Sequence, residues 1–342
     1  MAKSFLFSLL TLLSAALLCG CGRRIIFSGT GGKMLKKEDA KKYKLAKSPI
    51  QPVDTIEIKT RMGDIEIIQA DDYYLEIDYL YWESEPKYLL EGGKLTFDDE
   101  MTIPESYSIN FNPQNIVKLY LPKDALLDKA LLHSSNGDIS ISGFTAKSLK
   151  AHLSYGDLTM ANCAIARAII KLSSGNSTIT GFHVGELDYD NSYGDLLLNN
   201  VNIGESRLPS EFGFDRIDIS MSSGDANIDE LYAKELVIGN SYGDVDCKEI
   251  TADRFYARLS SGNLTVDRSD IRNLDLNNSY GDISLELAGS EKDYSLDLDI
   301  SYGIIIINGK KYKKQLSVSN NGIRSICAGL SSGDLRVKFL ED

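Results

Sequence analysis

The stretch SSGDANIDELYAKELVIGN-SYGDVDCKEITADRFYARL-SSGN, residues 222–263, carries the same text twice at an interval of 19 residues. Each copy opens with Ser-Ser-Gly or Ser-Tyr-Gly, follows the glycine with Asp, and then alternates apolar and polar residues in short runs. With the residue after the glycine counted as position 1, Ala226 and Val245 fall at position 2, Ile228 and Cys247 at position 4, and Leu231 and Ile250 at position 7. Positions 12 and 14 are apolar too, as in Leu236 and Ile238. A period of two within each run marks a half-buried strand, whereas a helix would space its apolar residues three and four apart. Short strands broken by glycine corners, one circuit of chain per 19 residues, predict an all-β fold, a parallel β-helix or solenoid.

The register extends in both directions. Glycines stand at 137, 156, 175 and 194, then at 224, 243, 262 and 281, then at 303, 322 and 333, so most intervals are 19. At a strand spacing of about 4.8 Å, this array predicts a rod roughly 40 to 50 Å long. Upstream, Ile56-Glu57-Ile58 and Gly63-Asp64-Ile65-Glu66-Ile67 resemble a first coil. Residues 70–122 hold longer alternating strands and the only tryptophan, Trp82, and read as an antiparallel cap over the end of the rod. The expected organisation is a signal peptide over 1–20, a lipidated basic linker over 21–52, a β coil with antiparallel cap over 53–133, and the repeat solenoid over 134–342.

Two rows within the array invite a function. Position 18 alternates between Tyr (193, 242, 280) and Ser (174, 223, 261), and position 16 between Asn (191, 240, 278) and a larger apolar residue (Leu172, Met221, Leu259). Interlocking of stacked coils in the core explains the alternation, a Tyr lying over a Ser at native packing density. A sugar-stacking ladder is the competing reading, and a two-coil unit of 38 residues fits the same pattern. The second row is the acid after the glycine, Asp157, Asp195, Asp225, Asp244 and Asp282, interrupted by Asn176 and Asn263. Capping of turn N–H groups, a role Asp and Asn share, accounts for the row. A calcium ladder is the sharper alternative.

The N-terminus supplies an address. Lys3 precedes an apolar run from Phe5 to Leu18, of signal-peptide length, that ends Leu18-Cys19-Gly20-Cys21. This ending resembles the lipobox of bacterial lipoproteins, which implies cleavage after Gly20 and lipid on Cys21. Residues 22–52 carry nine basic side chains against two acidic ones, a net +7 suited to anionic headgroups. Since the whole chain carries −12 and Lys3 adds one positive charge, residues 53–342 hold −20. That balance excludes a general nucleic-acid binder. Five cysteines and three histidines without a Cys-x-x-Cys pair leave no zinc module, and no cofactor is expected.

Ile116-Val117-Lys118-Leu119-Tyr120-Leu121-Pro122, followed by Leu131 to Ile141 with Ser135-Asn136-Gly137-Asp138-Ile139, resembles the bacterial DUF4097 family of candidate adhesins. The resemblance covers roughly residues 53–342. It implies a β-solenoid surface protein without known catalysis, some of whose relatives are linked to envelope stress and antimicrobial peptides. It carries no catalytic residues over.

The expected function is therefore a non-enzymatic, membrane-anchored lipoprotein that serves as a binding or adhesion platform for an envelope protein or glycan. An acidic trap or sensor for cationic peptides is the first alternative. A polysaccharide-acting β-helix enzyme is the second, disfavoured because 19-residue coils leave no long loops to build a cleft. The candidate binding loop is the eleven-residue insertion between Gly194 and Gly224, with Arg207, Phe212 and Phe214 as its recognition residues. Cys163 and Cys247 fall on core positions and read as small buried hydrophobes.

Overall fold

The computed structural model describes residues 33–99, 107–109, 114–202, 216–320 and 322–340. Its repeating unit is legible in the strand Val245–Ser261, where Val245, Cys247, Ile250, Ala252, Phe255, Ala257 and Leu259 are buried. Steps of two are interrupted by steps of three, from 247 to 250 and from 252 to 255. Each slip exchanges the parity that faces inward, so the chain bends around one continuous core instead of running flat. The first slip sits at position 6, where Asn162, Asn200, Glu230, Glu249 and Arg268 have φ between 45° and 55°, and Gly143 and Gly181 about 60°. Four of these seven residues are Gly or Asn, the types that tolerate left-handed backbone.

Coils stack in parallel and in register. Val245 pairs with Leu264, Phe255 with Leu274 and Ser261 with Tyr280, 19 residues apart in each case. The structural unit is one coil, and the two-coil period belongs to the side chains alone. Both polar exceptions to the core pattern have partners. Ser177, at position 2, accepts a 2.9 Å hydrogen bond from the hydroxyl of buried Tyr189. Ser269, at position 7, accepts from the Ile250 N–H at 3.0 Å and donates to the Asp267 carbonyl at 2.9 Å.

The corner glycines form a column. From Gly156 to Gly281, and at Gly303 and Gly333, their φ values lie between 126° and 147°. A Cβ on any of these would stand about 2 Å from the carbonyl oxygen of the glycine in the preceding coil. Gly63 starts the column beneath Gly137. Gly322, expected within the array, stands outside it, against the backbone of Asp293.

Both ends depart from chain order. Arg324–Ser332 pairs with Leu264–Tyr280 on one side and with Tyr294–Tyr302 on the other. Leu335–Leu340 likewise lies between Ile283–Ala288 and Ile305–Ile307. The C-terminal coil is thus inserted ahead of the coil that precedes it in sequence. Two antiparallel strands, Lys310–Tyr312 and Gln315–Val318, then cover the exposed edge. At the opposite end, Thr55–Thr60 and Asp64–Ala70 meet Lys94–Asp98 and Ile116–Pro122 in parallel, and antiparallel Lys87–Glu91 and Tyr74–Tyr81 lie beyond these.

The expected linker over 21–52 is corrected in its second half. Lys41–Pro49 is a strand, antiparallel to Tyr74–Tyr81. The pattern Tyr43-Lys44-Leu45 explains it, since Tyr43 and Leu45 pack on the core while the lysines face out. Lys42 pairs with Asp78 at 2.9 Å, and the Lys47 ammonium stands over the rings of Tyr74 and Tyr120. A lysine-rich outer strand protects a sheet edge from further pairing. Among the described residues, no helix is long and apolar enough to cross a membrane.

Candidate functional site

The stacking that aligns the glycines aligns everything beside them. One residue after each glycine, the side-chain oxygen of Asp or Asn accepts the position-1 N–H of the next coil. This ladder runs from Asp64 through Asp138, Asp157, Asn176, Asp195, Asp225, Asp244, Asn263 and Asp282 to Asp334, with bonds of 2.7–3.0 Å. Because Asp and Asn both present that oxygen, they interchange freely. The bond is made to the neighbouring coil, not within the turn. Each calcium candidate, Asp157, Asp195, Asp225, Asp244 and Asp282, uses Oδ1 in this way. Among the described residues, no group of three or more His, Cys, Asp or Glu is placed to hold a metal ion. The Asp334 N–H and the Arg336 guanidinium hold the Asp282 carboxyl below the usual range.

On the other side of the column stand the tyrosines, and their expected place in the core is corrected. Tyr155, Tyr193, Tyr242, Tyr280 and Tyr302 are 53% to 74% exposed. Position 16 is the last inward site, held by buried Asn191, Asn240 and Asn278 before Tyr193, Tyr242 and Tyr280, and by buried Leu153 and Ile300 before Tyr155 and Tyr302. Asn240 donates from Nδ2 to the carbonyls of Gly224 and Gly243 at 2.9 and 3.2 Å, and Asn191 binds Gly175 and Gly194 in the same way. The corner begins there, so position 18 projects from the rod. Position 17 is serine in every coil from Ser154 to Ser331, which gives the tyrosines a hydroxyl-bearing border.

The inserted C-terminal coil completes this edge. In sequence the position-18 residues end Tyr280, Tyr302, Ser332, which breaks the alternation. In space Ser332 lies between Tyr280 and Tyr302. Tyrosine therefore recurs on every second coil without a fault, at an interval of about 9.6 Å.

Among the described residues, other titratable groups stand in separate places: a histidine pair, two buried thiols and one buried carboxyl. His133 and His152 stand edge to face with centroids 6.3 Å apart, and burial, followed by the His152 charge, lowers the His133 pKa. Burial pushes the Cys163 thiol up to about 11 and also raises that of Cys247, which leaves both inert as nucleophiles. Asp99, at the foot of the glycine column, is buried with Tyr79. It accepts the Tyr79 hydroxyl and the Arg61 N–H, and burial raises its pKa. Cys21 and the insertion residues Arg207, Phe212 and Phe214 lie outside the described residues.

The column, the ladder and the in-register stack are those of a β-solenoid, and the chain belongs to the Toastrack DUF4097 family, whose model matches residues 53–213 and 210–338. No curated protein matches it. Solved structures that align with it include a candidate lipid-binding protein of Parabacteroides distasonis, 12% identical with a TM-score of 0.42, over 90% of this chain and 100% of that one. A candidate adhesin of Bacteroides fragilis aligns at 11% identity and a TM-score of 0.35, over 90% and 100%. Another, from Parabacteroides distasonis, aligns at 11% and 0.39, over 88% and 98%.

Proposed function

We propose that this protein is a non-enzymatic binding rod of the bacterial cell envelope, lipid-anchored through Cys21, that presents its flank to an envelope protein or glycan. The carrying observation is the solenoid edge: five exposed tyrosines kept in register by parallel strand pairing and by a ladder of Asp and Asn side chains that accept backbone N–H groups. Aromatic side chains exposed in a rigid array supply contact area at low entropic cost. The insertion bearing Arg207, Phe212 and Phe214 is the second candidate contact, since its eleven extra residues depart from the 19-residue repeat and insertions of that kind in solenoids often serve binding. Cross-linking on intact cells, comparing the wild type with a deletion of residues 202–215, tests the reading. A discrete partner captured by the wild type is expected, and an empty capture from both proteins overturns it.

A second reading rests on the −20 charge of residues 53–342, which attracts cationic peptides by steering. Capture of that kind collapses with added salt and ignores the insertion.

A further inference from the structure

We propose that the tyrosine edge is a binding site for an extended, uncharged β-1,4-linked pyranose chain, with Tyr155, Tyr193, Tyr242, Tyr280 and Tyr302 as successive stacking platforms. The inference rests on the binding-rod reading and names its ligand class. Three observations carry it.

The first is exposure: these are five large aromatic side chains that recur in register along one edge, the last of them, Tyr302, with the Lys314 ammonium 5.4 Å from its ring centroid. Folding alone does not call for a ring there, because every second coil makes the same corner with Ser174, Ser223, Ser261 or Ser332. The second is the interval. A β-1,4-linked chain of equatorial pyranoses advances by about one strand spacing per sugar and turns over at each linkage, so every second sugar presents the same C–H face. Tyrosine on every second coil, about 9.6 Å apart, matches that recurrence, and the small residual mismatch falls within the reach of a side chain with two rotatable bonds. Eight coil intervals separate Tyr155 from Tyr302, a span of about 38 Å that accommodates eight or nine sugars. The third is the border. The position-17 serines can both donate and accept, as sugar hydroxyls require, and the Asp row beyond the glycines repels uronates, phosphates and nucleic acids. A phenol ring offers an apolar face to sugar C–H groups and a polar tip to solvent.

The test uses the full chain in mild detergent with defined probes: chitohexaose and cellohexaose, polygalacturonate as an anionic control, and amylose as an α-linked control. The variants are Tyr242→Ser, Tyr242→Phe, and the triple change Tyr193→Ser, Tyr242→Ser and Tyr280→Ser. Serine is the natural residue of the alternate coils, so folding is retained, and circular dichroism verifies it. Titration calorimetry should show binding to the uncharged β-1,4 probes only, weakened roughly tenfold by Tyr242→Ser and little by Tyr242→Phe. The triple variant should show none. Wild-type failure to bind either uncharged probe, or equal binding by the triple variant, overturns the proposal. So does a loss of self-association in the triple variant without glycan binding, which would make the edge a contact between copies. If the triple variant still captures its envelope partner on cells, the binding-rod reading stands and only the glycan assignment falls.

Discussion

Replacing Gly243 by alanine tests the column on which the whole stack depends. The new Cβ would stand 2.1 Å from the Gly224 carbonyl oxygen and 2.7 Å from its carbon, at a φ of 127°. No rotamer relieves this contact, because both partners are backbone. The backbone conformation alone costs about 1–3 kcal/mol for a residue with a Cβ, and forced displacement in a packed interior costs about 1–3 kcal/mol more. The Gly224 carbonyl is also the acceptor of the 2.9 Å bond from Asn240, so moving it sacrifices about 1 kcal/mol of hydrogen bonding. The expected loss is about 3–7 kcal/mol. Gly309 is the control: its φ is 79°, but a Cβ there meets nothing within 4 Å, so Gly309→Ala should cost only the backbone part, about 1–3 kcal/mol. Because solenoid stability is shared between neighbouring coils, hydrogen exchange is the informative assay. Amides of the strands Ala226–Tyr242, Val245–Ser261 and Leu264–Tyr280 should lose protection in Gly243→Ala and keep it in Gly309→Ala. Equal protection in the two variants would refute the claim that carbonyl-to-glycine contact sets the coil spacing.

Other consequences follow from neighbouring groups. Asn240→Leu leaves the carbonyls of Gly224 and Gly243 without their side-chain donor and should cost about 1–3 kcal/mol in denaturant titration, even though leucine occupies position 16 of alternate coils. Burial raises the Asp99 pKa above its unfolded value, so its contribution is fully present below the unfolded pKa and is lost as pH rises through the folded one. The stability of wild type relative to Asp99→Asn should therefore fall as the pH rises above the ordinary carboxylate range, and a flat or rising difference would contradict the assignment. Glu235 bridges Arg216 at 2.5 Å and Arg254 at 2.9 Å across three coils, and these pairs are partly exposed. Glu235→Gln should cost no more than about 1 kcal/mol, and less in high salt.

The period, the solenoid and most of the core follow from local patterns in the chain. Val245, Cys247 and Ile250 could be placed inward because each strand run obeys a local alternation, and the Gly-Asp pair could be placed at a corner because few residues do well there. The sequence also contained the signal for the left-handed corner at position 6, in Asn162, Gly181 and Asn200, but Glu230, Glu249 and Arg268 at the same position obscured it. Position 9, buried as Ile165, Val184 and Ala252, was missed because it follows that corner and so lies out of phase with the positions before it.

The remaining features depend on pairing between distant segments. Whether Tyr242 enters the core depends on where the chain bends after Asn240, which no alternation within the strand records. Lys41–Pro49 became a strand because Tyr74–Tyr81 offers it an unpaired edge, a partner some thirty residues away. The faultless tyrosine row exists only because Arg324–Ser332 inserts between two earlier coils. Parallel pairing joins residues distant in the chain, and the order of coils in space is set by which edges remain open when each segment docks. A repeat encodes what every coil looks like; the open edges determine which coil is its neighbour.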